Sequence, residues 1–121
     1  MPKVMIVDDS NVVRMAVKSI LEKAGYEVYE AENGYDCLEK LGSLDPDLFL
    51  IDLNMPKMDG VELIKKLKGN SEFSHKPIVI LSTEENPEVI AEVEKLGVTE
   101  YLKKPPDPMK LIKIVGEFIA K

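Results

Sequence analysis

Residues 1–10 read MPKVMIVDDS. The apolar run Val4–Val7 has the length of a strand bound for the interior, yet it stops against two adjacent carboxylates, Asp8 and Asp9. Working outward, NVVRMAVKSILEKAG (11–25) sets Val13, Ala16, Val17, Ile20, Leu21 and Ala24 at helical spacing, with Gly25 as a C-terminal stop. YEVYEA (26–31) alternates as a strand does, and YDCLEKLG (35–42) reads as a short helix stopped by Gly42. LFLIDL (48–53) is continuously apolar up to Asp52, the pattern of a strand buried on both faces. VELIKKLKG (61–69) is helical and stopped by Gly69. PIVILS (77–82) is strand-like, and PEVIAEVEKLG (87–97) is a helix with Pro87 in its first turn and Gly97 at its end. EYLKK (100–104) is a short strand, and PMKLIKIVGEFIA (108–120) a closing helix.

Strands that alternate with helices in this way imply a parallel sheet covered by helices on both faces. With 121 residues, the chain 1–121 is expected to form one domain with a core that needs no staples. A net charge of −6 opposes a phosphate backbone, so direct nucleic-acid binding is not expected. The single cysteine, Cys37, excludes an internal disulfide and any paired-cysteine zinc motif. No apolar run approaches the roughly 18 residues of a membrane span, and the N-terminus lacks a signal-peptide core. A cytoplasmic protein without membrane insertion is the expectation.

In open parallel sheets, sites form beyond the carboxyl ends of the strands. At those ends lie Asp8 and Asp9, then Asp52, then Ser82 and Thr83, then Lys104. Either Asp9 or Ser10 is a candidate cap for the first helix. If the first and third strands are neighbours, about 4.8 Å apart, three carboxylates crowd together. Like charges that close raise one another's pKa or require a cation between them. An oxygen-only donor set favours a hard cation, and Mg²⁺ fits better than an all-protein calcium cage.

Four motifs carry a resemblance: the acidic pair in IVDDS, the aspartate and following turn in IDLNMPKMDG, the hydroxyl residue in PIVILST and the lysine–proline pair in EYLKKPP. Together, in this order and each at a strand end, they resemble the receiver domains of two-component response regulators, closest in plan to the stand-alone chemotaxis type. The resemblance spans the whole chain. It implies a flavodoxin-like (βα)5 doubly wound sheet in the order 2-1-3-4-5. It implies that Asp52 accepts a phosphoryl group, that Asp9, Asp52 and the Asn54 carbonyl ligate Mg²⁺, and that Asp8 reaches the metal through water. Lys104 and Ser82 then bind phosphoryl oxygens. Tyr101 matches an aromatic switch position, Thr83 and Glu84 join Asn54 in tuning phosphoryl lifetime, and the Lys104–Pro105 bond is expected to be cis. Pro56 and Gly60 match the turn after the acceptor. The chain departs from the pattern at Pro106, where phenylalanine is usual, and at Thr83, where a smaller residue is frequent.

The implied donor is a phosphohistidine on a histidine kinase or histidine phosphotransfer protein, since His75 is the only imidazole here and lies in a polar loop. The implied output is a surface over the fourth helix, fifth strand and fifth helix, offered to a downstream effector protein; a phosphorylation-dependent dimer is compatible with it. Reversing a 1:99 equilibrium takes about 5.5 kcal/mol. Two new charge-assisted bonds, from Ser82 and Lys104, at roughly 1.5–3 kcal/mol each would approach that. Three other readings compete. An aspartyl-nucleophile phosphatase would place D-x-D after its first strand. A flavodoxin-like cofactor module would need a Gly/Ser/Thr phosphate loop where DDSN stands. A receiver-like interaction module would have no use for the intact Asp8, Asp9, Asp52, Ser82 and Lys104 set.

Overall fold

A computed structural model describes residues 1–119; Ala120, the last residue of the expected closing helix, and Lys121 lie outside the described residues. The elements follow in strict alternation: β1 (Lys3–Val7), α1 (Asn11–Lys23), β2 (Glu27–Ala31), α2 (Gly34–Lys40), β3 (Leu48–Ile51), α3 (Gly60–Lys68), β4 (Ile78–Ser82), α4 (Pro87–Lys95), β5 (Glu100–Lys103) and α5 (Pro108–Phe118). The strands form one sheet in the order β2-β1-β3-β4-β5, with every pairing parallel. This is the expected flavodoxin-like arrangement.

Alternation along each strand divides the core into two layers. Met5, Val7, Phe49, Ile51, Ile78 and Ile80 point to one face, where Cys37, Leu63, Ile64, Leu67 and Val93 of α2, α3 and α4 cover them. Val4, Ile6, Leu48, Leu50, Val79 and Leu81 point to the other, beneath Val17 and Leu21 of α1 and Leu111, Ile114 and Val115 of α5. Each residue of the LFLI run is therefore buried, and its polar break at Asp52 falls at the rim of the sheet.

Each helix begins on a polar cap. Ser10, Asn33, Asp59, Asn86 and Asp107 accept from backbone N–H groups of the first turn. Such a cap is worth about 1 kcal/mol. Ser10, not Asp9, caps α1, so Asp9 is left for other work. Two of the four expected glycine stops are stereochemical requirements: Gly25 (φ 97°) and Gly97 (φ 88°) lie in the left-handed region. Gly69 is a cap residue at φ −81°, and Gly42 falls two residues beyond the end of α2, so neither needs to be glycine for its backbone.

Cys37 lies wholly inside the layer under α2, and burial pushes its thiol up to about 12. At pH 8 a disulfide reagent is expected to modify it only through global unfolding. The folded protein should react at least about 10³-fold more slowly than the urea-unfolded chain, given a stability of 5 kcal/mol or more. Fast labelling of the folded protein would contradict this packing.

Candidate functional site

The register of the two central strands builds the site. Val7 of β1 pairs with Ile51 of β3, so the next residue of each chain, Asp8 and Asp52, emerges at the same level of the rim. The backbone N–H of Asp52 donates to Val7 O at 2.9 Å, and that of Asp8 donates to Ala31 O at 3.1 Å. The two carboxylates are thus held by strand pairing at the reversal of strand order, with β2 on one side and β4 on the other. One carboxylate oxygen from each of Asp8, Asp9 and Asp52 lies within 4.8 Å of the others. Asp8 and Asp52 are 2% and 4% exposed, whereas Asp9 is exposed.

Lys104, one residue past β5, closes the other side. Its N–H donates to Ser82 O at 3.1 Å, and its Nζ reaches Asp8 Oδ2 at 2.7 Å and Asp52 Oδ2 at 3.1 Å. Pro106, where the resemblance implies phenylalanine, does not keep the lysine out of the site. The Lys104–Pro105 bond is cis. Asp52 Oδ1 accepts from the Asn54 backbone at 3.2 Å, and Asp8 Oδ1 accepts from the Ser10 backbone at 2.8 Å.

The electrostatics are those of a site short of two positive charges. Burial raises the Asp52 carboxyl above its ordinary value, the Asp8 charge raises it further, and Lys104 only partly opposes them. Burial alone would lower the Lys104 ammonium, but its two carboxylate partners reverse the direction, so it stays charged. Three carboxylates against one ammonium, with oxygen donors alone, match a hard divalent cation at the Asp9 side. Mg²⁺ therefore fits the residues present.

Ser82 is fully buried at the end of β4, and its Oγ accepts from Glu84 N at 3.1 Å. Thr83 is exposed beside it. The Glu84 carboxylate accepts from its own loop, at Glu85 N and Asn86 N. Tyr101 packs against the α2–α4 side of the core, and its hydroxyl donates to the Glu84 carbonyl at 2.8 Å. Asn54 is exposed on the loop after Asp52. That loop returns through Lys57 (φ 68°) to Gly60, whose N–H donates to Leu53 O. The residues expected at the site from sequence thus lie at the one rim, except Tyr101, which sits within β5 opposite Ile80 and reaches the β4–α4 loop only through its hydroxyl. One contact was not anticipated there: Arg14 of α1 donates from Nη1 to the Asp8 carbonyl. Arg14 precedes the buried Val17 and Leu21 by three and seven residues, and a charge on that core-facing stripe is the signal that marks it.

A family model described as the response regulator receiver domain matches residues 4–116. The chain belongs to the response regulator receiver domains. Chemotaxis protein CheY1 of Helicobacter pylori is 39% identical over 111 residues, 90% of each chain. Chemotaxis protein CheY of Thermotoga maritima is 34% identical over 119 residues, 95% of each. The structure of chemotaxis protein CheY4 of Vibrio cholerae superposes with a TM-score of 0.92 at 38% identity, covering 98% of this chain and 99% of that one. This receiver domain thus shares sequence and architecture with CheY-type proteins along nearly its whole length, and its acidic pocket is of the kind in which receiver domains bind Mg²⁺.

Proposed function

We propose that this receiver domain accepts a phosphoryl group on Asp52, with Mg²⁺, from a phosphohistidine on a partner kinase or phosphotransfer protein, and that the modification changes the α4–β5–α5 face read by a downstream protein. One observation carries the reading: a buried, ionisable Asp52 flanked by two further acids on one side and a fixed ammonium on the other. Bound at Asp9, Asp52 and the Asn54 carbonyl, Mg²⁺ would neutralise charge between the acceptor and the incoming phosphoryl oxygens. An Asp52 oxygen attacks phosphorus as the P–N bond to the donor imidazole breaks, and that nitrogen keeps the electron pair. Lys104 moves its hydrogen bonds from Asp8 and Asp52 to phosphoryl oxygens, and the Ser82 hydroxyl donates to another. Phosphoryl uptake from a small acyl phosphate, measured with Mg²⁺ and with chelator, tests this; uptake without Mg²⁺ would overturn it.

The energy of switching is redistributed relative to the sequence-based sum. Lys104 is already paired with two carboxylates, so its bonds to a phosphoryl group are exchanges and not additions. The Ser82 bond remains the new one. Tyr101 already lies against the core with its hydroxyl on Glu84 O. On this reading phosphorylation holds the β4–α4 loop in an arrangement the unmodified chain can adopt, in keeping with a shift of population.

A protein donor also needs a place to dock. Beside the site, Val12, Val13 and Ala16 of α1 with Pro105 and Pro106 line an apolar hollow of about 320 Å³, and Val12 is 77% exposed. Val12→Glu is expected to slow transfer from the cognate phosphohistidine protein roughly tenfold, the scale of a lost interface contact above 1 kcal/mol. Uptake from an acyl phosphate should be unchanged. Equal slowing with both donors would show that the hollow serves the chemistry and not the partner.

A further inference from the structure

Asp9 is the acid of the cluster that the fold holds least directly. Asp8 is fixed through its N–H on Ala31, its Oδ1 on Ser10 N and its Oδ2 on Lys104, and Asp52 through Val7, Asn54 and Lys104. Asp9 is exposed, and among the described residues its carboxylate has no hydrogen-bond partner. Its direction depends on the peptide group joining it to Asp8. The carbonyl of that peptide accepts from Arg14 Nη1 at 2.5 Å. The guanidinium is itself clamped: Nε donates to Glu30 Oε1 at 3.3 Å and Nη2 to Asn11 Oδ1 at 3.1 Å, with the side chain only 12% exposed. Lys18 holds the other oxygen of Glu30 at 3.4 Å. A planar fork that uses three nitrogens in three directions fixes a geometry that a flexible ammonium cannot.

We propose that Arg14 is a positioning residue for the metal end of the site, fixing the Asp8–Asp9 peptide and so the direction in which Asp9 presents its carboxylate to the cation. The inference rests on the Mg²⁺ reading of the acidic pocket. Groups that orient ligands from behind alter metal affinity about 10- to 100-fold when removed. Electrostatics alone makes the opposite demand. Deleting a positive charge beside an acid cluster strengthens attraction for a cation. The sign of the change therefore separates positioning from charge.

The test is Mg²⁺ binding by calorimetry at fixed ionic strength, for the full chain and for Arg14→Ala, Arg14→Lys and Glu30→Gln, with thermal unfolding of each metal-free protein measured in parallel. Arg14→Ala is expected to weaken Mg²⁺ binding about 10- to 100-fold. Arg14→Lys should recover only part of the loss despite keeping the charge. Glu30→Gln, which leaves the guanidinium in place but loosens its clamp, should give a smaller change of the same sign and remain informative if Arg14→Ala does not fold. The rate of phosphoryl uptake should return at saturating Mg²⁺. Tighter binding in Arg14→Ala or full rescue by lysine would overturn the proposal in favour of charge. A lower melting temperature with unchanged Mg²⁺ affinity would overturn it in favour of packing. A wild-type chain that binds no Mg²⁺ overturns the metal reading itself, and this inference with it.

Discussion

Asp52→Asn is expected to lose phosphoryl uptake from both a phosphohistidine protein and an acyl phosphate, by roughly 10³-fold or more, the scale on which loss of a nucleophile registers. The amide keeps the shape of the side chain and one acceptor, so the fold should survive. The same substitution should raise the melting temperature of the metal-free protein at neutral pH. Burial first, and the Asp8 charge second, raise the Asp52 carboxyl in the folded state, with Lys104 opposing. A raised carboxyl makes its full contribution to stability below the unfolded-state value of about 3.9 and loses it as pH rises through the folded-state value. At neutral pH the wild-type chain bears that loss and the asparagine variant does not. The gain should shrink as pH falls towards 4, and Mg²⁺ should stabilise the wild type more than the variant. Melting curves in chelator and in Mg²⁺, recorded from pH 4 to pH 8, check both signs. A lower melting temperature for Asp52→Asn at neutral pH in chelator would show that the Lys104 pair outweighs the desolvation of the carboxylate.

The second large effect is expected at Gly60→Ala. A Cβ built there would meet the Asp52 carbonyl oxygen at 2.4 Å and Leu53 Cα at 2.7 Å, both backbone atoms on the acceptor loop. Neither can yield as a side chain does, so the start of α3 and the Asp52–Leu53 segment must separate. Overpacking of this kind costs about 3 kcal/mol, which for a domain of this size corresponds to a fall of roughly 10 °C in melting temperature. Phosphoryl uptake should fall as well, because the displaced backbone carries Asp52. Gly42→Ala is the control. Its nearest neighbour to a new Cβ is Glu39 O at 3.4 Å, and its backbone is not left-handed. It should be neutral or gain about 0.4–1 kcal/mol from the unfolded state. Equal losses at both positions would mean that the close approach at Gly60 does not govern the loop.

The contrast between those two glycines also marks how far the sequence can be read. All four helix-ending glycines looked alike as residues, yet only Gly25 and Gly97 carry the left-handed backbone. Spacing reveals where a helix ends, but not which dihedral ends it. The strands were more legible, because burial on both faces leaves little room for a polar residue inside them. LFLI corresponds to β3 without a residue gained or lost. Strand order was not legible in the residues themselves. An apolar strand carries no mark of its neighbour, and the 2-1-3-4-5 order came from the family resemblance. The acids at strand ends pointed to the rim, but their convergence depends on the pairing of Val7 with Ile51.

What the sequence concealed is whatever depends on long side chains crossing between elements. Lys104 could be placed at the rim, but not its bond to Asp8, which turns an expected new interaction into an exchange. The role of Arg14 on the buried stripe of α1 is not legible in the sequence, because its partners come from the first loop, from β2 and from the helix start. Tyr101 could be matched to a switch position without any sign that its hydroxyl reaches Glu84 O, 17 residues back along the chain.

On the proposed function, Asp52 is the residue that carries the phosphoryl group. Incubation with an acyl phosphate and Mg²⁺, reduction with borohydride and peptide mass spectrometry tests it most directly, since hydride converts an aspartyl phosphate to homoserine. Homoserine at position 52, absent when Mg²⁺ is chelated, is the expected result. Homoserine at position 8 or 9 instead, or unreduced Asp52 after demonstrable uptake of phosphate, would contradict it.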